Sequence, residues 1–151
     1  MYGLAASIHS TDAVANIFKT KERPQSNPLI VHIHSIEQLE EIVTNIPDKA
    51  LELAESFWPG PLTLVLDKQQ NIDDLITAGK STGAVRMPNQ STTQTLLRSL
   101  NHPIVAPSAN PFNRISPTKA EHVEEYFGNK GLFVLDGGPC TAGIESTIEN
   151  K

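Results

Sequence analysis

Trp58-Pro59-Gly60-Pro61-Leu62-Thr63-Leu64-Val65-Leu66 is the stretch on which the fold turns. Two prolines and a glycine stop any helix that reaches them, because proline lacks a backbone N–H and clashes with the turn before it. Leu62 to Leu66 then forms a short apolar, β-branched run that reads as a buried strand. Upstream, Pro47 to Phe57 predicts a helix with Leu51, Leu53, Ala54 and Phe57 on its apolar side. A helix, a hard stop and a strand therefore follow one another directly.

The same grammar repeats outward from this point. Strands are expected at Leu29–Ile33, Gly83–Pro88, Pro103–Pro107 and Gly131–Leu135, with a last one at Ile144–Ile148. Helices are expected at Thr11–Phe18 and from Ser35, where Gln38 can close a capping box and Leu39, Ile42, Val43 and Ile46 mark the core face. Two more are expected at Ser91–Leu100, burying Leu96, Leu97 and Leu100, and at Thr118–Phe127, capped by Thr118 with Glu121. Lys19 to Pro28 reads as a polar loop. The alternation predicts an α/β fold, a twisted mixed open sheet with flanking helices, in a single domain over residues 1–151.

Composition narrows the function classes. The chain has 151 residues, 38% of them apolar and 19% charged, enough for one core and too little for two. A net charge of -5 disfavours a general nucleic-acid binder, though not a local basic groove. There is no signal peptide pattern after Met1 and no apolar run long enough for a membrane span. The single Cys140 fits a reducing compartment, and a cytoplasmic location is the expectation. The five histidines and Cys140 form no metal-ligand spacing, so no protein-bound metal is expected. Phosphate-loop and dinucleotide glycine fingerprints are absent, and no serine sits in a nucleophile elbow.

What remains are small-residue or proline-rich loops joined to β-branched strands, the places where open α/β sheets bind ligands. Lys21 and Arg23 put two cations beside Pro24, a pattern suited to polyphosphate or carboxylate and otherwise simply surface charge. Arg86 lies between Val85 and Met87 in a strand, where burial demands an anion from the protein or a ligand. His32 interrupts an apolar strand, a position more often filled by a satisfied core histidine. Ser108, Ser116 and Ser146 are hydroxyls among small residues, each alone readable as a turn or cap serine.

As an ordered set the segments resemble the YrdC family. They are Tyr2-Gly3-Leu4-Ala5, Lys21-x-Arg23-Pro24-x-x-Asn27-Pro28 through His32, Trp58-Pro59-Gly60-Pro61-Leu62-Thr63, Val85-Arg86-Met87-Pro88, Ala106-Pro107-Ser108-Ala109-Asn110, Ile115-Ser116-Pro117-Thr118, and Asp136-Gly137-Gly138 through Ile148. The resemblance implies condensation of L-threonine, bicarbonate and ATP into threonylcarbamoyl-AMP, with Mg²⁺ accompanying the nucleotide. The product would serve threonylcarbamoyl modification of adenosine 37 in tRNA by a downstream transferase. It also implies roles: Lys21 and Arg23 catalytic; Arg23, Asn27, Thr82, Ser108 and Ser116 at ATP; His32, Arg86, Ala106 and Ser146 at threonine. Family members carry further segments, including a threonine two residues before the tyrosine and an arginine-containing strand after Ile148. Truncation at both ends is therefore expected, with exposed edges that favour self-association and weakened activity. The rival readings are a YrdC-like domain that binds tRNA or double-stranded RNA, a carbamoyl-transfer domain of hydrogenase maturation, and an inactive truncated homologue.

Overall fold

Among the described residues six strands form one mixed sheet in the order β1-β5-β2-β4-β3-β6. A computed structural model describes residues 2–140 in full and the backbone of 148–150. The strands are β1 (Ala6–Ser7), β2 (Ile30–His32), β3 (Thr63–Asp67), β4 (Thr82–Arg86), β5 (Ile104–Val105) and β6 (Ile148–Asn150). The central pair β2 and β4 is parallel, β5 and β3 flank it antiparallel, and β6 runs parallel to β3. The helices are α1 (Thr11–Lys21), α2 (Leu39–Ile42), α3 (Asp48–Phe57), α4 (Asp74–Thr77), α5 (Ser91–Leu100) and α6 (Ala120–Phe127). This is the expected α/β mixed sheet.

Side chains alternate across a strand, so each strand offers two different faces. On one face Val31, Leu64, Leu66, Val85 and Val105 are buried and join Val14, Ile17 and Phe18 of α1 and Ala50 and Ala54 of α3 in the main core. Each of the valine, leucine, isoleucine and phenylalanine side chains contributes roughly 1.5–3 kcal/mol by leaving water. The residues between them in sequence, Ile30, Ala84 and Val65, are only half-buried. Helices α1 and α3 put their apolar residues into the core of one face; the other, more open face carries these half-buried residues beside the buried His32 and Thr63.

Several local expectations are corrected. Helix α1 runs on to Lys21 instead of stopping at Phe18. It ends where Glu22 turns left-handed (φ 56) and the amides of Glu22 and Arg23 bond back to Lys19 and Phe18. No capping box forms at Ser35, because Gln38 reaches one residue further and accepts from the His34 amide at 2.8 Å. A single 3-10 turn (Ile36–Gln38) and the short α2 follow, cut off where Val43 becomes extended and bridges Lys68. In α3 the buried stripe is Ala50, Ala54 and then Trp58, spaced by four, while Phe57 is 57% exposed. The residues of this helix that enter the core are small ones. Helix α5 has its expected bounds but buries Leu97 and leaves Leu100 exposed. Helix α6 starts at Ala120 with no cap from Thr118, whose amide instead donates to His122 Nδ1 at 3.2 Å.

Gly131–Leu135 is not a strand. Leu132 and Val134 pack with Val123, Phe127 and Tyr2 in a second small cluster, while Phe133 is 91% exposed. The alternation of a strand is present without a ladder partner among the described residues. Of the expected last strand only Ile148 falls within β6, and Ile144 to Thr147 lie outside the described residues.

Candidate functional site

The open face of the sheet gathers much of the expected chemistry. Thr82 and Arg86 lie on it from β4, His32 from β2 and Ala106 just beyond β5, where its amide still bonds Ile30 O at 3.4 Å. Register aligns the end of this face into one cross-sheet row: Ile104 opposite His32, His32 opposite Arg86, Arg86 opposite Thr63. Registered partners project to the same side, so imidazole, guanidinium and hydroxyl stand in sequence across three strands.

His32 is 7% exposed and its Nδ1 lies 3.1 Å from Ile30 O. A carbonyl can only accept, so Nδ1 carries the proton and Nε2 is left as an acceptor. Burial, with the neighbouring Arg86 charge adding to it, pushes this imidazole down to about 4. At neutral pH His32 is uncharged. Arg86 is half-buried and its Nε donates to Thr63 Oγ1 at 2.9 Å. A cation and a neutral acceptor side by side suit a ligand with a carboxylate and a donor group. Thr63, 0% exposed, received no role from the sequence. Its signal was the Trp58–Thr63 motif, but the purpose of the hydroxyl appears only once β3 and β4 are in register.

A second group centres on the loop after β5. The Lys21 ammonium is 1% exposed and donates to the carbonyls of Ser108 and Asn110. Burial first, and Arg23 second, lower it to about 8. Lys21 thus joins the end of α1 to the Ser108–Asn110 loop, a structural task the sequence did not disclose. Asn110 holds the following turn by donating to Pro111 O at 3.0 Å and Arg114 O at 2.7 Å, and its Oδ1 is buried without a partner among the described residues. Half-buried Ser116 follows that turn. The Tyr2-Gly3-Leu4 segment is laced to the same loop, through Leu4 N to Pro107 O (2.8 Å), Ala109 N to Tyr2 O (2.8 Å) and Tyr2 N to Pro117 O (3.0 Å). A side chain at Gly3 would meet Ala106 Cβ at 3.3 Å, a tight contact that glycine avoids. Tyr2 also donates to Asp136 Oδ1 at 2.6 Å, bringing in the Asp136-Gly137-Gly138 turn.

Arg23 and Asn27 lie in the turns leading into β2. Arg23 Nη2 donates to Pro28 O at 2.9 Å, while its Nε is buried without a partner among the described residues. Asn27 is half-buried, its amide bonded to Pro24 O at 3.1 Å. The expected threonine contact Ser146 lies outside the described residues. Among the described residues no group of three His, Cys, Asp or Glu side chains could hold a metal ion, and no helix is long and apolar enough to cross a membrane. A hollow of about 630 Å³ lies elsewhere, lined by Ile8, His9, Glu40, Glu41, Ile72 and His102 among others, and includes none of the expected residues. This hollow and the convergent chemistry therefore part company. The paired imidazole and guanidinium mark the face as the candidate site.

The Sua5/YciO/YrdC family, described as telomere recombination, matches residues 1–150. The threonylcarbamoyl-AMP synthase of Pyrococcus abyssi is 48% identical over 148 residues, covering 98% of this chain and 44% of that protein. The Bacillus subtilis enzyme of the same name is 46% identical over 149 residues, covering 98% and 43%. The chain therefore spans less than half the length of these relatives. The crystal structure of P. abyssi Sua5 complexed with L-threonine superposes with a TM-score of 0.96 at 47% identity, covering 99% of this chain and 44% of that one. Escherichia coli YciO shares the fold with a TM-score of 0.84 at 18% identity, covering 99% of this chain and 72% of that one. With its motifs, its sheet and these likenesses in agreement, the chain belongs to the Sua5/YciO/YrdC family.

Proposed function

We propose that this chain makes threonylcarbamoyl-AMP from L-threonine, bicarbonate and ATP. The observation that carries the reading is the neutral His32 beside the Arg86 cation on the open sheet face. A free amino acid offers a carboxylate to the guanidinium and N–H or O–H donors to His32 Nε2. The likeness to a Sua5 complexed with L-threonine supports threonine as that amino acid.

In the proposed reaction the threonine amine takes up bicarbonate with loss of water, forming a carbamate. A carbamate oxygen then attacks the α-phosphate of ATP, and pyrophosphate leaves. No side-chain nucleophile is needed, so catalysis rests on positioning and charge neutralisation. Arg23 faces the phosphates, with Asn27, Thr82, Ser108 and Ser116 along the nucleotide. ATP enters as its magnesium complex, which adds charge compensation at the leaving group. Lys21 serves by holding the Ser108–Asn110 loop in shape and by adding positive charge beside Arg23. Ala106 and Ser146 complete the threonine side. The product is a mixed anhydride that a transferase acting on adenosine 37 of tRNA would consume.

The test is pyrophosphate release by the 151-residue chain. Release that requires threonine and bicarbonate together supports the reading. Release without threonine, or threonine binding with no release at any ATP concentration, overturns it.

A further inference from the structure

Arg86 is a long side chain on a half-open surface, and binding a carboxylate in two-pronged fashion requires its plane to be fixed. A free arginine carries about 2 kcal/mol of rotamer entropy that binding would have to remove. The structure supplies a device for this. Thr63 stands opposite Arg86 in the β3–β4 ladder, is 0% exposed, and accepts the Nε proton at 2.9 Å. The hydroxyl engages the one guanidinium nitrogen that a two-pronged carboxylate contact through the terminal pair does not use.

The register that brings the two together is itself pinned. Gly60 N donates to Met87 O at 2.8 Å, tying the loop before β3 to the residue after Arg86. Trp58 Nε1 donates to Leu62 O at 2.8 Å inside the same loop. A Cβ on Gly60 would meet Phe57 O at 2.5 Å, so the close passage of this loop requires glycine. A valine at position 63 would fill the same space, so packing does not account for the hydroxyl; its interaction with Arg86 does.

We infer that Thr63 is a positioning residue that orients the Arg86 guanidinium for the substrate carboxylate. This rests on the reading of Arg86 as the threonine carboxylate contact. Calorimetric titration of the chain with L-threonine is the first test. Thr63→Val is expected to weaken threonine binding roughly tenfold, the scale of one hydrogen bond to a charged group, while ATP binding stays unchanged. Thr63→Ser is expected to restore affinity. In an Arg86→Met background Thr63→Val should add nothing, and L-threoninamide, which lacks the carboxylate, should not distinguish Thr63→Val from wild type. Wild-type affinity in Thr63→Val, or an undiminished loss in the Arg86→Met background, overturns the inference.

Failure of the wild type itself to bind threonine sinks the functional reading instead. A second measurement then still decides the positioning role. The Arg86 Nε–H should exchange slowly by ¹⁵N NMR in wild type and Thr63→Ser, and quickly in Thr63→Val. Solvent-fast exchange in wild type overturns the inference even where Thr63→Val does not fold.

Discussion

The two faces of the sheet are made from the same few strands, yet they do opposite work. On the packed face Val31, Leu64, Leu66, Val85 and Val105 are each no more than 2% exposed. On the other face, one residue along in every case, stand His32, Thr63, Ala84, Arg86 and Ala106. One side holds the domain together, and the other holds polar groups at fixed spacing on a rigid frame. The packed face can support such a face because the energy of folding is concentrated on it. A deletion on the packed face should therefore cost stability, and a polar exchange on the open face should cost binding.

The largest effect is expected at Leu64, 2% exposed on the packed face. Leu64→Ala removes transfer energy and leaves a cavity, and should cost about 2–5 kcal/mol in urea unfolding. A loss below about 1 kcal/mol would mean that the packed face is not the main source of stability.

The next effect depends on pH and is the exception that sharpens the comparison, since His32 is a buried ionisable group on the face opposite the packed one. Its value of about 4 lies below the ordinary 6.5. Between those values the unfolded chain takes up a proton that the folded chain refuses, so stability is full above pH 6.5, falls as the pH drops, and levels below 4. The span corresponds to roughly 3 kcal/mol. His32→Gln should remove that component from the pH profile of unfolding while leaving stability at pH 7–8 nearly unchanged. A profile between pH 4 and 6.5 identical in both proteins would refute it.

Arg86 comes third. Arg86→Met keeps the side chain's length but removes its charge and its donors, and should weaken threonine binding by about 1.5–3 kcal/mol, some ten- to a hundredfold. ATP affinity should move far less. Equal losses for both ligands would place Arg86 at a site shared by the two and undo the division between threonine and nucleotide contacts.

These faces were partly legible in the sequence. The β-branched strands around Val31 and Val85 announced a sheet, and a histidine and an arginine interrupting them announced a second purpose. The resemblance to a family supplied the assignment of His32, Arg86, Thr82 and Ala106, and all four share the open face. What the sequence hid was register. Thr63 looks like any strand threonine until β3 lies against β4, and Lys21 looks like a loop cation until α1 extends far enough to bring it under the carbonyls of Ser108 and Asn110. Local pattern also misled where bulk was taken for burial. Phe57 and Leu100 end exposed, while Ala50 and Ala54 of α3 and Gln94 and Leu97 of α5 are the residues those helices bury. Gly131–Leu135 carries strand alternation but has no ladder partner among the described residues, and alternation alone cannot report on pairing.

The smallest effect is the cleanest discriminator between the faces. Val65 and Val85 are the same residue type on adjacent strands, one half-buried on the open face and the other 0% exposed on the packed face. Threonine has nearly the shape of valine and a similar preference for strands, so the exchange isolates the cost of a hydroxyl. At position 85 that hydroxyl enters an apolar core and should cost about 1–3 kcal/mol. At position 65 it can meet water, and Val65→Thr should change stability by no more than about 0.5 kcal/mol. Urea unfolding of the two variants side by side reads the difference directly. If Val65→Thr proved as costly as Val85→Thr, the face bearing His32 and Arg86 would be a second packed surface, closed to a ligand.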